Sequence, residues 1–357
     1  MTKEMVSDSP IRIGIVGAGN NTRTRHVPGF RAIDGVAITG VVNRSPESTR
    51  RVAEEFDIPR QFENWEQLVE SDDVDAVLIG TWPYRHCEIT CAALEAGKHV
   101  LCEARMAGDA AEAHRMLETS RRHSHLTAQI VPSPFGLAQH EYVLGLLNDG
   151  FLGELRELIV IGATDLWGDA SQPLHWRQET QFSGRNALAL GILHEAAMRW
   201  TPPTIRVFAQ AATFETARPA SDRSDATIAD VPDSVQIVTQ LQGGARGLYH
   251  LSGVSRFGPG KQIHLYGSRG TIKLLLSPDE RLLIGSAGDA ELREPDIPPE
   301  QRGGWRVEAE FIGSIRGEET VRFTDFETGV RYMEFTDAVH QSAAENRPVD
   351  LPLQGDR

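Results

Sequence analysis

Ile11-Arg12-Ile13-Gly14-Ile15-Val16 runs directly into Gly17-Ala18-Gly19 and then Asn20-Asn21-Thr22. A short run that is apolar on both faces suits a buried parallel strand. A strand ending in two glycines one residue apart, followed by a helix, is the phosphate-binding turn of a dinucleotide fold. The glycines permit a tight turn and close backbone approach, and the helix N-terminus offers N–H groups to a pyrophosphate. The third glycine of that fingerprint falls at Thr22, so the turn alone is weak evidence.

Its surroundings strengthen it. Apolar runs recur at residues 36–42, 74–79, 99–102 and 126–131, with helical patterns between them. Ser45-Pro46-Glu47 supplies an N-cap, a first-turn proline and an acid suited to the helix dipole. Residues 86–96 read as a helix stopped by Gly97, and Asp109 caps another that runs to about Arg122. Strand and helix alternating in this way predict an α/β fold, a doubly wound parallel sheet over residues 11–131 with right-handed crossovers.

Beyond residue 131 the pattern changes. Residues 135–147 read as a helix closed by Asp149-Gly150, and strand-like stretches follow at 155–161, 205–214, 235–241, 246–252, 262–266 and 271–276. Gly267-Ser268-Arg269-Gly270 reads as a hairpin turn. Many strands with few crossover helices predict an α+β second domain, residues 132–357, with an open, largely antiparallel sheet. A bare sheet face that pairs with its copy would make a homodimer or homotetramer. Residues 221–233 read as a mobile polar loop and residues 1–10 as a flexible arm without a signal-type apolar core.

Bulk properties set outer limits. A chain of 357 residues exceeds one ordinary core and fits two domains. A net charge of -14 argues against nucleic acid or an anionic membrane surface as partner. No apolar run approaches the roughly 18 residues a bilayer span needs. Three cysteines cannot all pair, which suits a reducing, cytoplasmic setting. Cys87 and Cys91 lie one helical turn apart beside His86, but no further ligand stands at a recognisable spacing, so no metal is expected.

The end of the second strand reads Asn43-Arg44-Ser45, without the acid that binds the ribose hydroxyls of NAD. Arg44 can stack on adenine or bind a phosphate to which Ser45 donates, which favours NADP over NAD. The alternative makes Arg44 a solvated residue and Ser45 only the helix cap.

The segment Ala92-Ala93-Leu94-Glu95-Ala96-Gly97-Lys98-His99-Val100-Leu101-Cys102-Glu103 resembles a stretch of the Gfo/Idh/MocA oxidoreductases, the family of glucose–fructose oxidoreductase and inositol dehydrogenase. Residues 74–79 with His86, and the closing residues 329–352, fit the same family. The resemblance implies a Rossmann domain, a second domain with an open sheet, and a nicotinamide-dependent reaction on a sugar or polyol. Cofactor contacts are then expected from Gly17, Gly19, Asn20, Asn21 and Thr22, from Asn43, Arg44 and Ser45, from Thr81, Trp82 and His86, and from Glu103 at the nicotinamide ribose.

Two departures bear on the chemistry. The family's Glu-Lys-Pro reads Glu103-Ala104-Arg105 here, and its lysine binds and deprotonates the reacting hydroxyl. Ala104 can do neither; Arg105 stays protonated and can orient a substrate hydroxyl or anion but is a poor base. The family's Asp-x-Gly-x-His becomes Ala189-Leu190-Gly191-Ile192-Leu193-His194, with the histidine one residue late. Histidine is the natural substitute for a missing lysine, so His194, beside Glu195, is the first candidate base. The competing reading is a satisfied histidine on a buried helix. His175 is the second candidate, with Trp176 to stack on a sugar and Arg177 to bind hydroxyls or a carboxylate. Tyr84 and Arg85 stand at the carboxyl edge where a ligand crevice forms.

The expected function is NAD(P)-dependent hydride transfer on a carbohydrate-like hydroxyl or ketone. One rival is a lyase or glycoside-cleaving enzyme that oxidises transiently with retained cofactor. A second rival is a non-catalytic sugar or nucleotide sensor.

Overall fold

A computed structural model describes residues 9–222 and 225–353; the expected N-terminal arm lies outside the described residues apart from Ser9 and Pro10. The chain divides into two compact units, one of Met1–Ala107, Ala111–Pro132 and Arg306–Val330, the other of Gly108–Ala110, Ser133–Trp305 and Arg331–Arg357. In chain order the elements are β1 (Ile11–Val16), α1 (Val27–Arg31), β2 (Val36–Val42), α2 (Pro46–Glu55), β3 (Arg60–Gln61), α3 (Trp65–Val69), β4 (Ala76–Ile79), α4 (His86–Glu95), β5 (His99–Cys102), α5 (Ala110–Arg122) and β6 (Ala128–Ile130). There follow α6 (His140–Asn148), β7 (Leu155–Ala163), α7 (Thr180–Ser183), α8 (Leu190–Met198), β8 (Thr204–Ala212), β9 (Ser234–Leu241), β10 (Arg246–Ser252), β11 (Gly260–Gly267), β12 (Gly270–Leu275) and β13 (Arg281–Ser286). The chain closes with α9 (Val307–Ile315), α10 (Phe326–Glu345) and β14 (Val349–Asp350).

The first unit holds a parallel sheet in the order β3-β2-β1-β4-β5-β6. The order reverses between β1 and β4, and the crevice at such a reversal is where open α/β sheets take ligands. Burial explains the apolar runs: Ile13, Ile15, Leu78, Ile79 and Leu101 are all fully enclosed. Pro46 sits in the first turn of α2, and Ser45 caps it by accepting the Ser48 N–H at 3.3 Å.

Sequence reasoning gave everything after residue 131 to the second domain, and the structure corrects this. Residues 306–330 belong to the first unit because they complete its sheet edge. The Ile130 N–H donates to the Thr324 carbonyl at 3.0 Å, and Gln129 donates from Nε2 to Glu310 Oε1 at 3.0 Å.

The missing third glycine of the fingerprint also has a structural answer. That glycine normally lets helix and strand pack closely. Here the absent side chain is on the strand side, at Gly80. A Cβ there would stand 2.2 Å from the Gly17 carbonyl oxygen and 2.4 Å from Thr22 Oγ1. Thr22 is buried, and its hydroxyl donates back to the Gly17 carbonyl at 3.3 Å.

The second unit holds an eight-stranded mixed sheet, β13-β12-β11-β7-β10-β9-β8-β14, whose one parallel pairing among the described residues joins β7 and β10. Alternation of side chains sends Leu158, Val160, Val207, Ile237, Tyr249 and Ile263 into one core. The opposite face carries Phe208, Val238, Leu248 and Ile159, aligned across four strands by the register, and the first three are exposed. Of the stretch expected as a mobile loop, Ile228 pairs with Ala217 in an isolated antiparallel bridge. The Arg218 N–H donates to Thr227 O at 2.8 Å and the Ala229 N–H to Thr216 O at 2.7 Å, while residues 223 and 224 lie outside the description. Among the described residues no helix is long and apolar enough to cross a membrane.

Gly80→Ala tests the packing of the turn. Its methyl meets backbone that cannot yield cheaply, so a loss of about 1–3 kcal/mol in urea-unfolding free energy is expected. Adding Thr22→Gly should recover only part of it, because the Gly17 carbonyl remains.

Candidate active site

In the first unit the site begins with Gly17 at φ +86°, a conformation L side chains rarely adopt. The Ala18 N–H donates to Asn43 Oδ1 at 2.7 Å, while Asn43 Nδ2 donates to the Ser48 carbonyl at 3.1 Å. Asn43 therefore ties the glycine turn to the start of α2. Helical backbone starts at Asn20, with the Arg23 N–H donating to the Gly19 carbonyl at 3.1 Å. The N–H groups of the turn before that bond point out of the helix end, as every helix N-terminus requires.

Residues Thr22–His26 form a π turn, widened by one residue relative to an α turn. It brings Asn21 and His26 to one side, where both meet Glu103 Oε1. Asn21 donates from Nδ2, and His26 Nε2 lies 3.0 Å away. On its other side, His26 Nδ1 lies 2.5 Å from Glu308 Oε1 on α9. Gly29 makes room for this, because a Cβ there would stand 2.7–2.8 Å from the Glu308 side chain. Burial by itself would lower the His26 pKa, but the hydrogen bonds to Glu103 and Glu308 outweigh it and raise it to about 9. Burial pushes the Glu103 carboxyl up, and the His26 bond and charge bring it net below its ordinary value. The unit thus encloses an imidazolium between two carboxylates.

Arg44, exposed after β2, places its guanidinium 5.8 Å from the Trp82 ring centroid, and Trp82 lies 6.4 Å from Tyr84. Arg85 donates to Glu88 at 2.6 Å. His86 is fully enclosed, with Nδ1 2.8 Å from the Arg105 carbonyl and Nε2 3.1 Å from the Thr81 carbonyl. The Thr81 hydroxyl is buried without a hydrogen-bond partner, a polar atom available to a bound molecule. Arg105 is buried as well.

In the second unit, His175, Trp176 and Trp167 form an aromatic cluster, with His175 centred 5.6 Å from Trp176 and 5.2 Å from Trp167. The Arg177 guanidinium lies 4.2 Å over Trp176. His175 Nδ1 accepts the Arg177 N–H at 3.1 Å, which places the proton of the neutral ring on Nε2. His194 lies elsewhere, stacked on Phe335 with ring centroids 3.5 Å apart and Nδ1 2.9 Å from the Tyr249 hydroxyl. Burial drives its pKa down to about 3.

Two family models match the chain. "Oxidoreductase family, NAD-binding Rossmann fold" covers residues 11–129 and "GFO/IDH/MocA C-terminal domain" covers residues 140–273. The chain belongs to the Gfo/Idh/MocA family. Among curated relatives, the dTDP-3,4-didehydro-2,6-dideoxy-alpha-D-glucose 3-reductase of Actinomadura kijaniata is 31% identical over 42% of this chain and 44% of its own length. Its namesake in Saccharopolyspora spinosa is 28% identical over 53% and 55%. The chain therefore spans about half the length of the curated relatives it matches. A solved levoglucosan dehydrogenase, in complex with NADH and L-sorbose, superposes with a TM-score of 0.86 over 97% of this chain and all of that one, at 21% identity.

Within this Gfo/Idh/MocA chain several expected roles change. His194, expected as base, is only 4% exposed and serves as a core histidine. Its neighbour Glu195, expected on substrate, is buried in a salt bridge to Arg199 at 2.7 Å and accepts the Ser133 N–H at 3.0 Å. His86 braces two loops and has no surface to offer a cofactor. Asn43 and Ser45 spend their side chains on the turn and the cap. Gly17, Gly19, Asn20, Arg44, Thr81, Trp82 and Glu103 keep positions around the carboxyl edge of the parallel sheet. Asn21 and Thr22 act behind it, on Glu103 and on Gly80. Sequence reasoning missed His26, Glu308, Gly80 and Trp167. Gly80 alone carried a local signal, a glycine ending an apolar strand.

Two measurements check this geometry. Tyr249→Phe should lose about 1–3 kcal/mol in urea unfolding, since it strips a buried imidazole of its partner. For His26 the folded pKa lies above the unfolded one, so its stabilisation is full below pH 6.5 and is lost as pH rises to about 9. Wild-type unfolding free energy should fall across that window, and His26→Gln should lack that component of the slope.

Proposed function

We propose that this chain is an NAD(P)-dependent oxidoreductase that moves a hydride to or from a carbon bearing oxygen on a sugar, a polyol or a related carbohydrate. The observation that carries it is the glycine turn packed on Gly80 at the sheet's point of reversal, in a unit that matches an NAD-binding model. The cradle fits a dinucleotide: the helix end points N–H groups outward, and the buried Thr81 hydroxyl lacks a partner. Bound there, the nicotinamide would supply the hydride chemistry. The names of the relatives, sugar reductases and levoglucosan dehydrogenase, support a carbohydrate substrate.

NADP is preferred over NAD on this reading. Arg44 follows β2 without an acid beside it, and its approach to Trp82 forms a cationic edge for a 2′-phosphate next to a ring for adenine. In the second unit Trp176 would be a sugar platform and Arg177 would bind hydroxyls or a carboxylate; in the first, exposed Tyr84 would be a substrate contact. With alanine at position 104 and His194 sealed, proton handling passes to His175. Its Nε2–H can polarise a substrate oxygen, and a proton can be taken up only by releasing the Arg177 cap.

A second reading follows from Ala104. The hydride would be returned within one turnover if transient oxidation of a sugar hydroxyl acidified the neighbouring C–H and elimination or glycosidic cleavage followed. It implies turnover with no added cofactor and no net reduced nicotinamide. The open sheet face, with its row of Phe208, Val238 and Leu248, supports a homodimer or homotetramer built on that face.

Three variants test these proposals. Arg44→Ala should raise the Kd for NADPH about ten-fold and that for NADH much less, measured by fluorescence titration; equal effects on both would refute the phosphate role. On a panel of sugars with NAD and NADP, His175→Asn should lower kcat roughly 100-fold or more with a smaller change in KM. Val238→Glu should shift the wild-type oligomer to smaller species in sedimentation velocity.

A further inference from the structure

We infer that His26 and Glu308 are positioning residues for the Glu103 carboxylate, holding it in the orientation that meets a ribose hydroxyl of the dinucleotide. This rests on the cofactor site proposed above and adds residues that do not touch the cofactor themselves.

Lone-pair bookkeeping at Glu103 leads to it. An ionised carboxylate offers about four acceptor positions. Asn21 Nδ2 and His26 Nε2 take two on Oε1, and the Ala104 N–H takes one on Oε2 at 3.2 Å. About one position remains, on Oε2. The Glu103 side chain is 15% exposed, whereas that of His26 is fully enclosed and that of Glu308 nearly so. The spare position therefore belongs to a carboxylate that reaches the surface at the carboxyl end of β5, while His26 and Glu308 behind it do not.

A carboxylate on a flexible stem does not hold such a position unaided. It swings between rotamers, and water takes the spare site. The fixed charge is His26, set by the π turn and pinned from behind by Glu308. The charged groups facing His26 are Glu103 from the end of β5 and Glu308 from α9. Glu308 pins the ring from behind and helps to keep it protonated, so removing the rear carboxylate loosens the imidazolium that holds the front one. Gly29 belongs to the same device, since a methyl there would displace the Glu308 side chain from the ring.

The test uses the full chain stripped of any nucleotide that co-purifies. Kd values for NADPH and NADH are measured for wild type, Glu103→Gln, Glu308→Gln, Glu308→Asp and Gly29→Ala. Thermal unfolding is followed in parallel, and the His26 ring is titrated by NMR. Expected are roughly ten-fold weaker binding in Glu308→Gln and Gly29→Ala, partial recovery in Glu308→Asp, and a wild-type His26 that stays protonated through pH 8. If Glu103→Gln weakens binding while Glu308→Gln and Gly29→Ala bind like wild type, the positioning role is overturned and the cofactor site stands. If Glu103→Gln binds like wild type, Glu103 does not meet the cofactor and the inference falls. If wild type binds neither nucleotide, the function proposed above fails with it. Should the variants not fold, a wild-type His26 that titrates near 6.5 overturns the inference by itself.

Discussion

Gly80 has no side chain, and the volume its Cβ would fill is occupied by the Gly17 carbonyl and the Thr22 hydroxyl. Much of the first unit follows from that contact. It brings the end of β1 against the end of β4, where the strand order reverses. It fixes the plane of the glycine turn, which Asn43 then ties to the start of α2. With the turn fixed, the helical run from Asn20 has one entry direction, and its π turn delivers Asn21 and His26 together to Glu103. A residue with a side chain at position 80 would move the turn, and the charges behind it would lose their register.

Those charges are costly to bury, since isolated ions in a protein interior pay several kcal/mol of desolvation. His26 is enclosed and still protonated because it faces a carboxylate on each side. Apolar residues would pack such a space at least as well. The use inferred above for the charge is to keep Glu103 ionised and aimed. The second unit gives a contrast. His194 is equally enclosed, has a tyrosine hydroxyl and a phenylalanine ring for neighbours, and is neutral. Two buried histidines differ because one is flanked by carboxylates and the other by aromatic rings.

Local signals in the sequence determined what could be read from it. Strand and helix alternate through residues 11–131 in apolar runs and caps, and Ser45 caps α2 as its spelling implies. The phase of α8 could not be read that way. Leu190, Leu193, His194, Glu195, Ala196 and Ala197 are all buried, so this helix has no polar face to mark which side looks outward. A histidine beside a glycine at a familiar place in the pattern then read as catalytic, when it is core. His26 and Glu308 are 282 positions apart, a pairing no spacing rule can find. The same holds for residues 306–330, whose return to the first sheet depends on a backbone bond between Ile130 and Thr324.

The substitution of Ala104 for the family's lysine takes on more meaning once His194 is placed. A lysine can anchor a hydroxyl as its ammonium and take a proton as its neutral amine, whereas a guanidinium such as Arg105 can only anchor. On the proposed reading His175 would do part of both, with a condition. While Nδ1 accepts the Arg177 N–H, Nε2 is a donor, so the ring as folded is set to stabilise negative charge growing on a substrate oxygen. Stabilising that charge assists hydride arriving at a carbonyl and, by microscopic reversibility, the reverse loss of hydride through the same transition state. On the proposed reading the ring as folded is a donor to the substrate oxygen in either direction of hydride transfer. Which nitrogen of that imidazole holds the proton is fixed by a backbone N–H two residues along the chain.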